Sequence, residues 1–400
     1  MERAIPSAWP IAGGHVSVAL VVGTLEHAGA ARHAIELVRA LGDGRHRVRV
    51  YALAGSAEPA VARLRALDVP LTVLPRRYAY EPARILALAC ALKRDGIDLV
   101  HAVLPAGAAY GALAARLAGV PIVVVTSRAG DAREQRRIRP LLHRIYRRAT
   151  AVVANTWAQA RRLAAEADLP LERVQVVYDG VDLARHPGPR MLDGLRARVW
   201  HRPLVIGGAG SREHGREHFF ATAASIAARH PTAHFVWFEE DGDGRADEAR
   251  RAVPTDASMT IVPLGEDPEP VLQQLALLCI AGSTEGPAVD VVPAAMAAGR
   301  PIVALAAPGI DEFVTDGATG VVVQPCGPAA LADAALALLE DRGRLRTMGL
   351  AARTHAERAL RADAMARATA AVYEDALLGR LTPVVPFGTR PDVVAEDVRR

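Results

Sequence analysis

The chain has 400 residues, 51% of them hydrophobic and 23% charged, and a formal net charge of +4 at pH 7. That length exceeds what one hydrophobic core usually supports, so two domains are expected, and the balance is that of an ordinary soluble globular protein. Aromatics at 4% leave few stacking platforms, which disfavours nucleic acid as a partner.

No charge-free run of about 18 apolar residues occurs, and the apolar stretch Val16 to Val22 follows no cationic leader, so a first strand in a cytoplasmic protein is expected. Cys90, Cys279 and Cys326 lie far apart, without metal-ligand or disulfide spacing, and are expected to be buried small hydrophobes.

In chain order, Val16 to Gly23 reads as a buried strand and Ala30 to Leu41 as a helix. Strand Val48 to Ala52, helix Val61 to Leu67, strand Leu71 to Leu74, helix Ala83 to Asp95 and strand Leu99 to Val103 follow. Helix Ala108 to Ala118, strand Ile122 to Thr126, a long helix ending near Arg148, strand Ala151 to Asn155 and helix Ala158 to Ala167 continue the alternation. It implies a parallel sheet covered on both faces.

The rhythm breaks from Val174 to Arg202, around Tyr178-Asp179-Gly180-Val181-Asp182. It restarts with strand Leu204 to Gly208, helix Phe219 to Arg229, strands His234 to Phe238 and Thr260 to Leu264, helix Val271 to Leu277 and strand Leu278 to Ala281. A strand after Gly320, a helix from about Pro328 and a last helix from Ala362 to Leu378 complete the reading, before a tail expected to be poorly ordered. Two Rossmann-like domains meeting at a cleft are the expected architecture.

The richest stretch for chemistry runs from Ser283 to Glu312. A turn at Glu285-Gly286 leads into an Ala-rich helix closed by Gly299, a strand opens at Pro301, and a second turn follows at Pro308-Gly309. Two helix starts then flank one strand end, and unpaired N–H groups at helix N-termini favour a diphosphate. Because proline fits a helix only in its first turn, Pro293 suggests that Asp290 caps a helix starting at Val291.

These residues carry a resemblance. Glu285, Gly286, Met296, Gly299, Pro301, Gly309 and Glu312 fall on the pattern E-G-F-P-x-x-x-x-E-A-M-A-x-G-x-P and its following G-G-x-x-E turn. The chain thus resembles the family 4 glycosyltransferases of the GT-B fold. The resemblance implies an α/β protein of two Rossmann-like domains facing a central cleft, with a C-terminal helix crossing back. The expected boundaries are 1–183 plus the helix at about 360–380 for the acceptor domain, 184–359 for the nucleotide-sugar domain, and 381–400 for the tail.

By resemblance, Glu285 contacts the donor sugar and the backbone of Gly309 and Ile310 the phosphates, with Gly286 and Glu312 also counted among the donor-binding residues. A second glutamate would hold the donor ribose, but its position is Pro293, leaving Asp290 as a shorter substitute. Gly29 keeps half of the family's Gly-Gly phosphate turn, Ala28 replacing the other glycine, and a plain strand-to-helix turn is the alternative. His101, in Asp98-Leu99-Val100-His101, matches a D-x-V-H element and is expected to face the cleft, as a catalytic or a structural residue. Arg128 stands where relatives place a histidine on the acceptor side; it either holds an anionic acceptor or phosphate, or is a surface residue.

Around Gly207 to Arg216 relatives read G-R-L-x-x-x-K-G, and their arginine and lysine neutralise the leaving diphosphate. Here Gly208 and Gly210 flank Ala209 at the arginine position, and His214 takes the lysine position, leaving Arg212 and Arg216 as candidate replacements. Losing such a charge stabiliser costs about 3 kcal/mol in the transition state. Gly208-Ala209-Gly210 after a strand, with Glu239 or Glu240 near the next strand's end, also hints at a dinucleotide fingerprint and an oxidoreductase, although Glu213 occupies the third glycine position.

The basic run 128–148 interleaves arginines with Ile138, Leu141, Leu142, Ile145 and Tyr146. It either lies on anionic lipid at the inner face of the membrane or packs its apolar stripe on the sheet. The resemblance implies a retaining hexosyltransferase without metal or other cofactor, using a nucleotide diphosphate sugar and a cell-envelope, polysaccharide or lipid-linked acceptor. The alternative is a degenerate relative acting as partner subunit of another transferase.

Overall fold

The computed structural model describes residues 15–25, 28–42, 45–53, 58–74, 81–128, 132–186, 204–210, 214–239, 257–264, 268–282, 287–324 and 327–380. They divide into two units, one from residues up to Gly180 and from Ala362 onward, the other from Val181 to Arg361.

The first unit runs β1 (Val16–Val22), α1 (Ala28–Leu41), β2 (His46–Ala52), α2 (Glu58–Ala66), β3 (Leu71–Val73), α3 (Pro82–Arg94) and β4 (Leu99–Val103). It continues through α4 (Pro105–Ala118), β5 (Ile122–Ser127), α5 (Ala132–Arg148), β6 (Ala151–Ala154), α6 (Trp157–Ala167) and β7 (Val174–Val176). All paired strands are parallel, in the order β3-β2-β1-β4-β5-β6-β7.

Alternation along the strands sorts the core into two layers. Ala19, Val21, Tyr51, Val100 and Ala102 pack under α3 to α6 with Leu88, Leu92, Ala108 and Ile145. Val18, Leu20, Val50, Leu99 and Val103 pack on the other side with Ile35, Val38 and Leu64 and with Met365, Val372 and Tyr373 of the chain's last described helix, here numbered α12 (Ala362–Leu377). Strands buried on both faces favour Val/Leu/Ala-rich runs such as those of β1 and β6.

The second unit contains β8 (Val205–Gly210), α7 (Gly215–Ala227), β9 (His234–Glu239), β10 (Ser258–Pro263), α8 (Glu269–Leu272), β11 (Leu277–Ala281) and α9 (Pro287–Ala297). After these come β12 (Ile302–Leu305), β13 (Gly320–Val323), α10 (Pro328–Glu340) and α11 (Arg342–Ala359). Its parallel sheet has the order β10-β9-β8-β11-β12-β13. The unit's chain ends meet, since the Val181 N–H donates to the Leu360 carbonyl at 2.9 Å beside a parallel bridge between Val181 and Arg361.

Several local expectations are corrected. The helix α9 begins at Pro287, so Asp290 lies in its first turn and is no cap, while Pro293 sits inside the helix. Complete burial of Val291, Val292, Ala295 and Met296 explains why the helix persists across a proline that removes one of its bonds. At Gly309 no helix starts: Ile310–Glu312 is a three-residue 3-10 turn entered through Gly309 at φ 87°. The expected helix Val271 to Leu277 is one turn, because β11 already begins at Leu277. Cys90 is exposed on α3, whereas Cys279 is buried, which pushes its thiol up to about 12.

Candidate active-site regions

In open parallel sheets ligands bind beyond the carboxyl ends of the strands, where the strand order reverses. In the first unit that point lies between β1 and β4. Backbone approach there is close: a Cβ on Gly107 of α4 would stand 2.8 Å from the Val21 carbonyl oxygen. Between β4 and α4, Leu104 is held at φ 70° and ψ 161°, a conformation that strains any residue but glycine.

Beside it, three strand ends supply polar groups. Arg128 directly follows β5, Asn155 directly follows β6, and Asp179 lies just beyond β7. Arg128 Nη1 forms a short ion pair with Asp179 Oδ1, and Asn155 Nδ2 donates to Asp179 Oδ2 at 3.1 Å. From α1, His33 Nδ1 stands 2.9 Å from Asp179 Oδ1; facing an ionised carboxylate, that nitrogen carries the hydrogen. His33 Nε2 is buried and has no hydrogen-bond partner among the described residues.

Burial acts to raise the Asp179 carboxyl, but the Arg128 guanidinium and the bonds from His33 and Asn155 outweigh it and hold the group well below the usual carboxylate range. Arg128 is therefore neither a surface residue nor a free cation for an acceptor: it is 4% exposed and its charge is matched.

His101 does not open toward a ligand. It sits within β4, 1% exposed, with Nδ1 2.7 Å from the Tyr373 hydroxyl of α12 and Nε2 2.6 Å from Thr126 Oγ1 of β5. Burial, reinforced by the charge of His33, pushes its pKa down to about 3. Both ring nitrogens are occupied, so the ring ties β4, β5 and α12 together and offers no atom to a substrate. Gly29 lies inside the first turn of α1 rather than in a loop before it. On α5, Leu142, Ile145 and Tyr146 are buried in the unit's core while Arg144, Arg147 and Arg148 are exposed. The described part of the helix's apolar face thus packs on the unit's core, and among the described residues no helix is long and apolar enough to cross a membrane.

The order of the second sheet reverses between β8 and β11. Its glycines are required by contact. A Cβ on Gly208 would meet the Phe219 ring at 2.4 Å, one on Gly210 the Ala281 carbonyl oxygen at 2.3 Å, and one on Gly215 that same oxygen at 2.7 Å. Gly208 is thus a packing position under α7, while Gly210 and Gly215 let helix and strand meet backbone to backbone.

Ala209 is fully buried and paired with Ile280, and His214 is exposed ahead of α7. Arg216, expected at a diphosphate, forms a short ion pair with Glu239 Oε1 at the end of β9. Ile310 is buried and Glu312 half-buried in the 3-10 turn after β12. Glu285, Gly286 and Arg212 lie outside the described residues.

Sequence reasoning missed the grouping of His33, Asn155 and Asp179. The usable signal was positional, since Asn155 and Asp179 are polar residues at the carboxyl ends of buried strands.

The model of Glycosyltransferase Family 4 matches residues 27–185, and that of Glycosyl transferases group 1 matches residues 202–341. A D-inositol 3-phosphate glycosyltransferase of Paenarthrobacter aurescens (strain TC1) is 27% identical over 72% of this chain and 74% of its own length. D-inositol 3-phosphate glycosyltransferase 1 of Catenulispora acidiphila is 30% identical over 70% of this chain and 73% of its own.

Among solved structures, Anabaena HepE in complex with UDP and glucose superposes with a TM-score of 0.74 at 19% identity, over 90% of this chain and all of that one. Sucrose-phosphate synthase from Thermosynechococcus elongatus gives 0.68 at 15% identity, over 90% of this chain and 99% of that one. Two parallel Rossmann-like sheets, family models over both halves, and a 30% identical relative matched over 73% of its length lead to one conclusion: the chain belongs to the family 4 glycosyltransferases and has the GT-B fold.

Proposed function

We propose that the chain transfers a hexose, with retention at the anomeric carbon, from a nucleoside diphosphate sugar to a hydroxyl of a cell-envelope, polysaccharide or lipid-linked acceptor. The acceptor oxygen bonds the anomeric carbon as the bond to the β-phosphate oxygen breaks, and the hydroxyl proton passes to the departing diphosphate. No metal is assigned a part in this step.

The observation that carries the reading is the backbone contact at Gly210 and Gly215, which brings the start of α7 against the strand ends where a Rossmann-like unit receives a nucleotide. Anabaena HepE, of the same fold, is known in complex with UDP and glucose. On the acceptor side, the described cation Arg128 is neutralised by Asp179, so this edge favours a polyhydroxyl acceptor over a phosphorylated one.

Titration of the purified chain with UDP, GDP and their hexose conjugates, with and without magnesium, should give micromolar binding of one base. Product analysis with acceptor mixtures should show retained anomeric configuration. Silence with every nucleotide, or release of no nucleotide in any mixture, would sink the proposal. Two observations support a second reading, a partner subunit without turnover: Arg216 is tied to Glu239, and Pro293 stands where a carboxylate is expected. That reading requires nucleotide silence together with co-purification of an active transferase.

A further inference from the structure

β8, α7 and β9 form a parallel strand-helix-strand unit, with Val205 opposite His234 and Gly208 opposite Trp237. Its turn is glycine-built at Gly210 and Gly215, and its second strand ends on an acidic residue, Glu239. Glu239 is 9% exposed. One carboxylate oxygen is held by Arg216, the second residue of α7, so the carboxyl group lies at the start of that helix. The other oxygen, Oε2, is buried and has no hydrogen-bond partner among the described residues.

A buried carboxylate oxygen without a donor is costly, and a carboxylate only accepts, so whatever satisfies it brings an O–H or N–H. In Gly-turn units of this kind an acid at the end of the second strand accepts from a ribose hydroxyl. Of the two α9 positions expected at the ribose, Pro293 has no donor or acceptor side chain, and Asp290 is half-exposed and already has a partner.

We infer that Glu239 accepts a hydrogen bond from a ribose hydroxyl of the donor nucleotide, and that Arg216 positions it rather than neutralising the diphosphate. The inference rests on the nucleotide-sugar reading above. Arg216 fixes the carboxylate through Oε1, leaving Oε2 directed to the sugar.

The test is calorimetric titration of the full chain with UDP and GDP, then with the 2′-deoxy and 3′-deoxy forms of whichever binds. Wild type should bind one deoxy form at least tenfold more weakly. Glu239→Ala should bind the ribonucleotide as weakly as wild type binds that deoxy form, with no further loss on the deoxy form itself. Arg216→Gln should lower discrimination partly, and it serves if Glu239→Ala fails to fold. Equal binding of ribo and deoxy forms by wild type, or full discrimination kept in the folded variants, overturns the inference while nucleotide binding stands. No binding of any nucleoside diphosphate by wild type overturns the donor reading and this inference together.

Discussion

The carboxyl edges of the two sheets solve the burial of charge in opposite ways. At the edge of the first, Arg128, Asn155 and His33 close on Asp179, and the charges cancel within the protein. At the edge of the second, Gly210 and Gly215 remove side chains from the strand-helix junction, and the Arg216–Glu239 pair leaves one carboxylate oxygen unmet. The first edge also holds an unpartnered atom, His33 Nε2, but an imidazole nitrogen shares no formal negative charge, whereas Glu239 Oε2 does. An orphaned oxygen of an ionised group is the costlier case, even where Arg216 meets the group's charge. The difference separates an edge whose carboxylate is met on both oxygens within the protein from one whose carboxylate is met on one.

Removing the hub of the first edge should have the largest effect. Asp179→Ala leaves the Arg128 guanidinium buried without its counter-charge and should lower unfolding stability by about 3–5 kcal/mol, read from the urea midpoint. A loss below about 1 kcal/mol would show that Arg128 reaches water once released. The pH dependence has a definite sign. The folded Asp179 carboxyl lies below its ordinary value, so its contribution is complete above about pH 4 and is lost as pH falls through the folded value. Asp179→Asn should remove that part of the acid transition.

The second edge should fail through sterics rather than charge. In Gly210→Ala the new methyl would stand 2.3 Å from the Ala281 carbonyl oxygen, and backbone on both sides has little room to yield. Overpacking of this kind costs about 1–3 kcal/mol, and nucleotide affinity should fall with it. Unchanged stability and unchanged affinity in this variant would refute the backbone contact as the basis of the site.

How much of this was legible beforehand follows from the range of the forces involved. Buried strands announce themselves through local Val/Ala/Leu runs, and β4 and α12 were placed to within a residue. The start of α9 was misread because Pro293 weighs heavily locally, while the burial that overrides it comes from elements distant in sequence. His33 and Asp179 are separated by 146 residues, so no spacing rule could join them. The tie between Arg216 and Glu239 was hidden in the same way, because each residue alone reads as a candidate ligand contact.

His101 offers a smaller effect with a clear sign. Its pKa near 3 in the folded chain lies below the ordinary histidine value of about 6.5. Between those values the unfolded chain binds the extra proton, so stability falls as pH falls, by at most about 1.4 kcal/mol per pH unit. His101→Gln, which can still meet Tyr373 and Thr126, should flatten the slope of melting temperature against pH between 6.5 and 4. An unaltered slope would mean that other groups carry it.

The smallest effect belongs to a contact in neither cluster. The Tyr51 hydroxyl donates to Asp95 Oδ2 at 2.7 Å; burial, then this bond, pushes the Tyr51 pKa up. Arg94 first and Tyr51 second hold Asp95 at about 2. Tyr51→Phe removes one hydrogen bond and should cost about 0.5–1.5 kcal/mol. Tyr51 lies in the first unit and the proposed nucleotide contacts in the second, so nucleotide affinity should not change in this variant. A shift in affinity would show that a change in the first sheet reaches the second edge, and the contrast between a carboxylate met on both oxygens and one met on a single oxygen would then describe coupled parts rather than separate ones.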